Sequence, residues 1–187
     1  ITEQLVLFEV ESTHRLGLAS AEEDGRHFAR ATRALAFFNG LLMLNADIAV
    51  AARGTRFAHL EVLRGIPPLG GSTVRFPRAA GWTDAMRYIL TGDEFDADEA
   101  LRMRLLTEVV EPGEELARAL EYAERIARAA PLAVRAALQS AFQGRDEGDD
   151  AALSRVNESL AALIGSEDVR EGVLAMVQKR APAFKGR

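Results

Sequence analysis

Five apolar residues follow Asp47 without a break, IAVAA to Ala52, and the polar turn after them leaves no room for a helix. A run this short and this apolar reads as a buried strand, so part of the chain must close around a sheet. Gln4–Val10, QLVLFEV, has the β-branched and aromatic mix of a second strand, and Thr107–Val110, TEVV, reads as a third before Pro112. Everything beyond Pro112 has helical periodicity. The expected organisation is therefore an α/β region over 1–111 followed by a helical module over 112–187.

The helices have local signals. Ser72–Ala80 and Thr83–Leu90 read as short helices, the second capped by Thr83 or Asp84, and Asp96 is the expected N-cap of ADEALRMRLL. Pro112 opens GEELARALEYAERIARAA, with Leu116, Leu120, Ala123 and Ala127 on one face, and Pro131 opens the next helix. GRDEGDD reads as a loop, Ser166 as a cap, and APAFKGR as an extended tail. Between the first two strands, residues 21–40 suggest a helix with Phe28, Ala31, Leu35 and Phe38 on one face, ending at Asn39-Gly40. The Leu41–Leu44 run that follows fits helix or strand equally.

Composition narrows the function. The 187 residues carry 28 acids against 23 bases, a formal charge of −5, which is unlike the basic footprint of a nucleic-acid binder. No cysteine is present, so disulfides, zinc–thiolate sites and a thiol nucleophile are excluded. No apolar run approaches a membrane span, and ITEQLVLFEVE is too acidic for a signal peptide, so the expected location is cytoplasmic. His14, His27 and His59 lack metal-pair spacing and read as ordinary surface or helix histidines, His59 being of interest only because Glu61 is near. No GxSxG elbow, P-loop or GxGxxG occurs.

The unusual stretch runs from Asp47 to Gly71. GTRFAHLEV reads as a short exposed segment that delivers Glu61 to a loop, RGIPPLGGS, too rich in Gly and Pro for regular structure. A carboxyl at the edge of apolar walls can carry protons, and Gly-rich backbone can approach a ligand closely.

These residues also resemble a known family. ADIAVAARGTRFAHLEVLRGIPPLGGSTVRFPRAAG is similar to a segment of the crotonase (enoyl-CoA hydratase/isomerase) superfamily: an AD-[IV] strand, a Phe, a catalytic Glu, then an IP-containing loop ending in GG before a helix. AMRYILTGDEFDADEALRMRLLTEVV resembles the family's next block, with Arg104 where Gly is usual. The C-terminus matches S-x-D-x-x-E-G-x-x-A-x-x-x-K-R-x-P-x-F-x-G from Ser166 to Gly186. The resemblance covers the chain from about Leu42 to its end.

It implies an α/β fold, a crotonase-like spiral of ββα repeats with a C-terminal helical trimerisation module, here with the N-terminal part incomplete. It implies reversible hydration of 2-enoyl-CoA through an enolate held by main-chain N–H groups, in fatty-acid metabolism. The substrate is an acyl-CoA thioester, the assembly a homotrimer or hexamer, with no metal or redox cofactor, no nucleic acid and no membrane partner. Glu61 becomes the expected general acid/base. Pro68, Gly70 and Gly71 are expected at the acyl pocket, and Phe184 and Lys185 at CoA on an adjacent subunit. Arg53, Arg56 and Arg64 are weaker candidates for CoA phosphates, whereas Asp168 and Glu171 are expected to cap and to pair.

The departures lie before Asp47. LGLAS (Leu16–Ser20) poorly matches the family's first oxyanion-hole motif, and Leu41 stands six residues before Asp47, where many hydratases carry a second Glu. Pro68 falls where hydratases use a glycine N–H, and proline has none. One carboxylate suits a double-bond shift better than water addition. A Δ3,Δ2-enoyl-CoA isomerase and a catalytically silent scaffold of the same fold therefore stay open, as does an unrelated helical binding module. Loss of pattern near His14, Ser20 and Gly40 is what a chain joined across missing stretches would show. It predicts Cα spacings there well beyond the ~3.8 Å of a peptide link.

Overall fold

The structure is a computed structural model that describes residues 7–10 (as backbone only), 40 and 42–187. His14, His27, the LGLAS motif, the helix expected over 21–39, Leu41 and the spacing test for missing stretches all lie outside the described residues.

Strands β1 (Leu7–Val10), β2 (Ile48–Ala52) and β5 (Glu108–Val110) form a parallel sheet in the order β1-β2-β5. The central position of β2 explains its sequence. Both edges are paired, Leu7 with Ile48 on one side and Val50 with Glu108 on the other, and Ala49–Ala52 are buried. The ladder is extended at both ends of β5, where Thr107 N–H donates to Ala49 O (2.8 Å) and Arg53 N–H to Val110 O (2.8 Å).

After β2 the chain turns into β3 (Arg56–Phe57), which pairs antiparallel with β4 (Phe95–Asp96) and sets Phe57 opposite Phe95. Between them run α1 (Ser72–Ala80) and α2 (Trp82–Thr91), followed after β4 by α3 (Ala97–Arg102). Phe76 from α1 and Tyr88 from α2 complete an aromatic cluster, with ring centroids 4.6 Å apart for Tyr88–Phe95, 5.6 Å for Phe57–Phe95 and 5.9 Å for Phe76–Phe95. Phe57 and Phe76 are fully buried, each contributing about 1.5–3 kcal/mol by burial alone. Tyr88 keeps its polar end satisfied by donating to Glu99 Oε1 at 2.9 Å.

Several local expectations change. GTRFAHLEV is not an exposed segment: Thr55 and Phe57–Glu61 are buried, because the β3–β4 pair draws this stretch against the aromatic cluster. Helix α2 begins at Trp82 with Gly81 as N-cap, so neither Thr83 nor Asp84 caps it. Asp96 does cap α3, accepting from Glu99 N–H at 2.9 Å. Helix α4 (Glu115–Ala127) opens three residues after Pro112. GRDEGDD is not a loop, since α5 (Pro131–Glu147) and α6 (Asp149–Ile164) run through it and break only at Gly148.

Contacts divide the chain into one compact unit reaching Leu120 and a second over Glu121–Arg187. In the second, α5 packs on α6, and α7 (Glu167–Gln178) is capped by Ser166, whose side chain accepts from Val169 N–H at 3.1 Å. The residues after Arg180 belong to no helix or strand.

Candidate active site around Glu61

Glu61 caps a single 3-10 turn, Val62–Arg64, that hangs from the buried β3 stretch. Its carbonyl accepts from Arg64 N–H (2.8 Å) and Ile66 N–H (3.2 Å), which fixes the main chain at the carboxyl-bearing residue. The turn is backed by the end of α2. Gly92 lies so close that a Cβ there would meet Leu63 side-chain carbons at 2.8 Å, and its φ of 69° is left-handed.

The loop then doubles back. Leu69 N–H donates to Glu61 Oε1 at 3.0 Å. The far side of the Leu69 residue is held as firmly, because its carbonyl accepts from Ser72 Oγ (2.9 Å) and Ser72 N–H (3.1 Å). Gly70 and Gly71 make this return possible with φ of 61° and 78°, and Gly71 becomes the N-cap of α1. Pro68, as expected, offers no N–H, but the loop does not lack a donor. The next residue, Leu69, brings its amide to the carboxyl.

Glu61 is 1% exposed, and its second oxygen, Oε2, has no hydrogen-bond partner among the described residues. The carboxyl thus has one oxygen pinned and one available. Such an arrangement lets a proton be taken or given at Oε2 while Oε1 stays in register. His59 is also buried, at 0% exposure rather than on the surface, and neither ring nitrogen has a partner among the described residues. Its ring centroid lies 5.3 Å from that of Phe76. Burial pushes its pKa down against an opposing pull from the Glu61 charge, so the imidazole is neutral at pH 7.

Two of the three arginine candidates form ion pairs. Arg53 donates to Glu111 (3.0 Å) and Asp98 (3.0 Å), which raises its pKa, and Arg56 pairs with Glu94 at 3.5 Å. In the second unit Phe184 is half-buried over Gly172. The buried Asp168 carboxylate accepts from Lys185 N–H (2.7 Å) and Gly186 N–H (2.9 Å), while the Lys185 ammonium is 3.9 Å from Glu167. Glu171 pairs with Arg180 and accepts from Ala183 N–H (2.8 Å), which holds its carboxyl at about 2. Asp168 and Glu171 both hold the tail: Glu171 pairs, as the sequence suggested, whereas the helix cap is Ser166 and Asp168 accepts two tail amides instead. Sequence reasoning missed Leu69 and Ser72, whose contributions come through the main chain and a small hydroxyl. Among the described residues no group of three or more His, Asp or Glu side chains is arranged to hold a metal ion.

The family model described as enoyl-CoA hydratase/isomerase matches residues 36–187. The 2,3-dehydroadipyl-CoA hydratase of Escherichia coli (strain K12) is 36% identical over 146 residues, covering 78% of this chain and 57% of that protein. The short-chain-enoyl-CoA hydratase of Clostridium acetobutylicum is 35% identical over 147 residues, with 78% and 56% covered. Among solved structures, a probable enoyl-CoA hydratase/isomerase from Mycobacterium abscessus superposes with a TM-score of 0.77 at 46% identity, over 78% of this chain and 57% of that one. The chain belongs to the enoyl-CoA hydratase/isomerase family and has its crotonase-type α/β fold. It spans a little over half the length of the relatives it matches.

Proposed function

We propose that this chain carries the acid–base centre of an enoyl-CoA hydratase, with Glu61 as the group that moves the proton. The observation that carries the reading is the divided carboxyl: Oε1 tied to Leu69 N–H, Oε2 buried and free. In hydration, water adds across the C2=C3 bond of a 2-enoyl thioester, its oxygen going to C3. Glu61 accepts the proton that water loses and returns a proton to C2. Charge builds on the thioester oxygen during this step. Main-chain N–H groups aimed at that oxygen lower the barrier by about 3–4 kcal/mol per donor. The chemistry as proposed calls for no metal or redox cofactor, because it combines addition of water oxygen to C3 with proton transfers and leaves the net oxidation state unchanged.

Pro68, Gly70 and Gly71 shape the acyl end of the pocket in this proposal, and Phe184 and Lys185 meet CoA on a neighbouring subunit of a cytoplasmic trimer or pair of trimers. A second reading is favoured by Leu41, which supplies no second carboxylate. An isomerase needs only Glu61, which takes a proton from C2 of a 3-enoyl thioester and returns it to C4.

Both readings are tested by Glu61→Gln, which keeps size and removes the titrating proton. With crotonyl-CoA, loss of the conjugated thioester absorbance reports hydration; with a 3-enoyl-CoA, its gain reports isomerisation. The variant is expected to lose about 10²–10⁴ in kcat at unchanged melting temperature. Wild-type turnover of neither substrate identifies a silent scaffold, and full activity of the variant removes Glu61 from the mechanism.

A further inference from the structure

Three buried polar atoms beside the candidate active site have no partner among the described residues: Nδ1 and Nε2 of His59, and Oε2 of Glu61. Native interiors rarely leave such groups unsatisfied, and where they do the cause is commonly functional or a bound water. The two residues are two positions apart on one buried stretch, His59 at 0% and Glu61 at 1% exposure, and the Glu61 charge opposes the downward push of burial on the imidazole. The ring is closely confined. Phe76 from α1 packs against it at 5.3 Å between centroids, and a Cβ built on Gly40 would come within 3.5 Å of His59 Cε1. Leu69 N–H holds the other carboxyl oxygen, Oε1. None of Phe76, Gly40 and Leu69 carries a charge, and among the described residues Glu61 is the charged group whose field acts on His59. A residue used merely to fill this space would be Phe or Leu, at no desolvation cost.

We propose that His59 is a positioning residue for Glu61, its imidazole and Glu61 Oε2 together holding one buried water that carries the hydrogen bond between them. The imidazole N–H donates to the water oxygen, and the water donates one hydrogen to Oε2. No bond to carbon is made or broken by His59, and no proton leaves it. Its effect is to aim the free oxygen of a carboxyl whose other oxygen is already fixed by Leu69. Two points then define the plane of the carboxyl, where one would leave it free to swing about the Oε1 contact. The inference rests on the proton-transfer role proposed for Glu61.

The test compares three variants of the full chain. His59→Phe keeps an aromatic ring against Phe76 and removes both nitrogens. His59→Gln keeps an N–H at similar reach, and His59→Asn is too short to deliver one. Two readouts are used: steady-state kinetics with crotonyl-CoA and a 3-enoyl-CoA, and the carboxylate stretching band of Glu61, isolated as the infrared difference between each protein and the same protein carrying Glu61→Gln. His59→Phe and His59→Asn are expected to lower kcat about tenfold with KM within twofold of wild type, and to move the Glu61 band. His59→Gln is expected to restore kcat and band together.

If His59→Phe fails to fold by circular dichroism, the Asn and Gln pair decides the question alone. Wild-type kcat in His59→Asn overturns the proposal, as does an unmoved band in every variant or equal losses in Asn and Gln. The infrared band needs no turnover. A wild-type protein inactive on both substrates, whose band still moves in His59→Asn and is restored in His59→Gln, would refute the enoyl-CoA reading and leave the positioning of Glu61 by His59 standing.

Discussion

His59 makes the stability of the fold depend on pH with a definite sign. Burial lowers its folded pKa below the ordinary 6.5, so below that value the unfolded chain takes up a proton that the folded one refuses. Folding stability is therefore full above about pH 6.5 and falls as pH drops through the interval down to the depressed folded value. Thermal melts between pH 7.5 and 5 are expected to show this decline, and His59→Phe is expected to flatten it. The residue was not legible as buried because a lone histidine has no period, and its neighbours Ala58 and Leu60 look like an ordinary turn into a loop. Glu61 was legible, but through its motif rather than through any physical signal in the residue itself. Leu69 illustrates the opposite limit: its side chain is exposed, and what matters is an amide N–H that every residue but proline possesses. Knowing that Pro68 lacks a donor did not reveal which neighbour would supply one.

At the level of elements, the site depends on how α2 ends. Gly92→Ala places a Cβ at 2.8 Å from Leu63 and forces a left-handed backbone on alanine. The backbone term costs about 1–2 kcal/mol, and denaturant melts are expected to show at least that loss. Because Leu63 belongs to the turn that Glu61 caps, kcat is expected to fall along with stability. The long elements were legible because caps and apolar faces marked them, Asp96 and Ser166 among the clearest. The two-residue strands β3 and β4 were not. A pair held by Phe57 against Phe95 leaves no alternation to detect, and it was this pair that turned an expected exposed stretch into a buried one. The tail after α7 behaves as a latch with two acidic clamps. Asp168→Asn removes charge from the acceptor of the Lys185 and Gly186 amides at a cost of about 1.5–3 kcal/mol to the latch. Hydrogen exchange at those two amides is expected to accelerate while α5 and α6 stay protected. Glu171 gives the latch an acid limit. Its folded pKa of about 2 lies below the ordinary 4.5, so its contribution is present above about pH 4.5 and fades as pH falls toward 2. Exchange at Ala183 N–H, measured across that interval, checks it.

For the molecule as a whole, the second unit leaves much apolar surface uncovered. Leu153, Ile164, Val173, Met176 and Val177 are each more than half exposed. Apolar surface on this scale is characteristic of a subunit that meets other subunits. Under the proposed assembly, sedimentation is expected to give a trimer or a pair of trimers, and Val173→Glu together with Val177→Glu to shift it toward monomer. A single particle with the 20.3 kDa mass of one chain at every concentration would remove the trimer from the proposal. The parallel sheet has a consequence for how the protein is made. β2 and its partner β5 lie 58 positions apart in sequence, and a ribosome adding about 5–20 residues per second needs roughly 3–12 s to cover that distance. Throughout that interval the nascent chain displays one bare edge of IAVAA, a natural landing place for chaperones during synthesis.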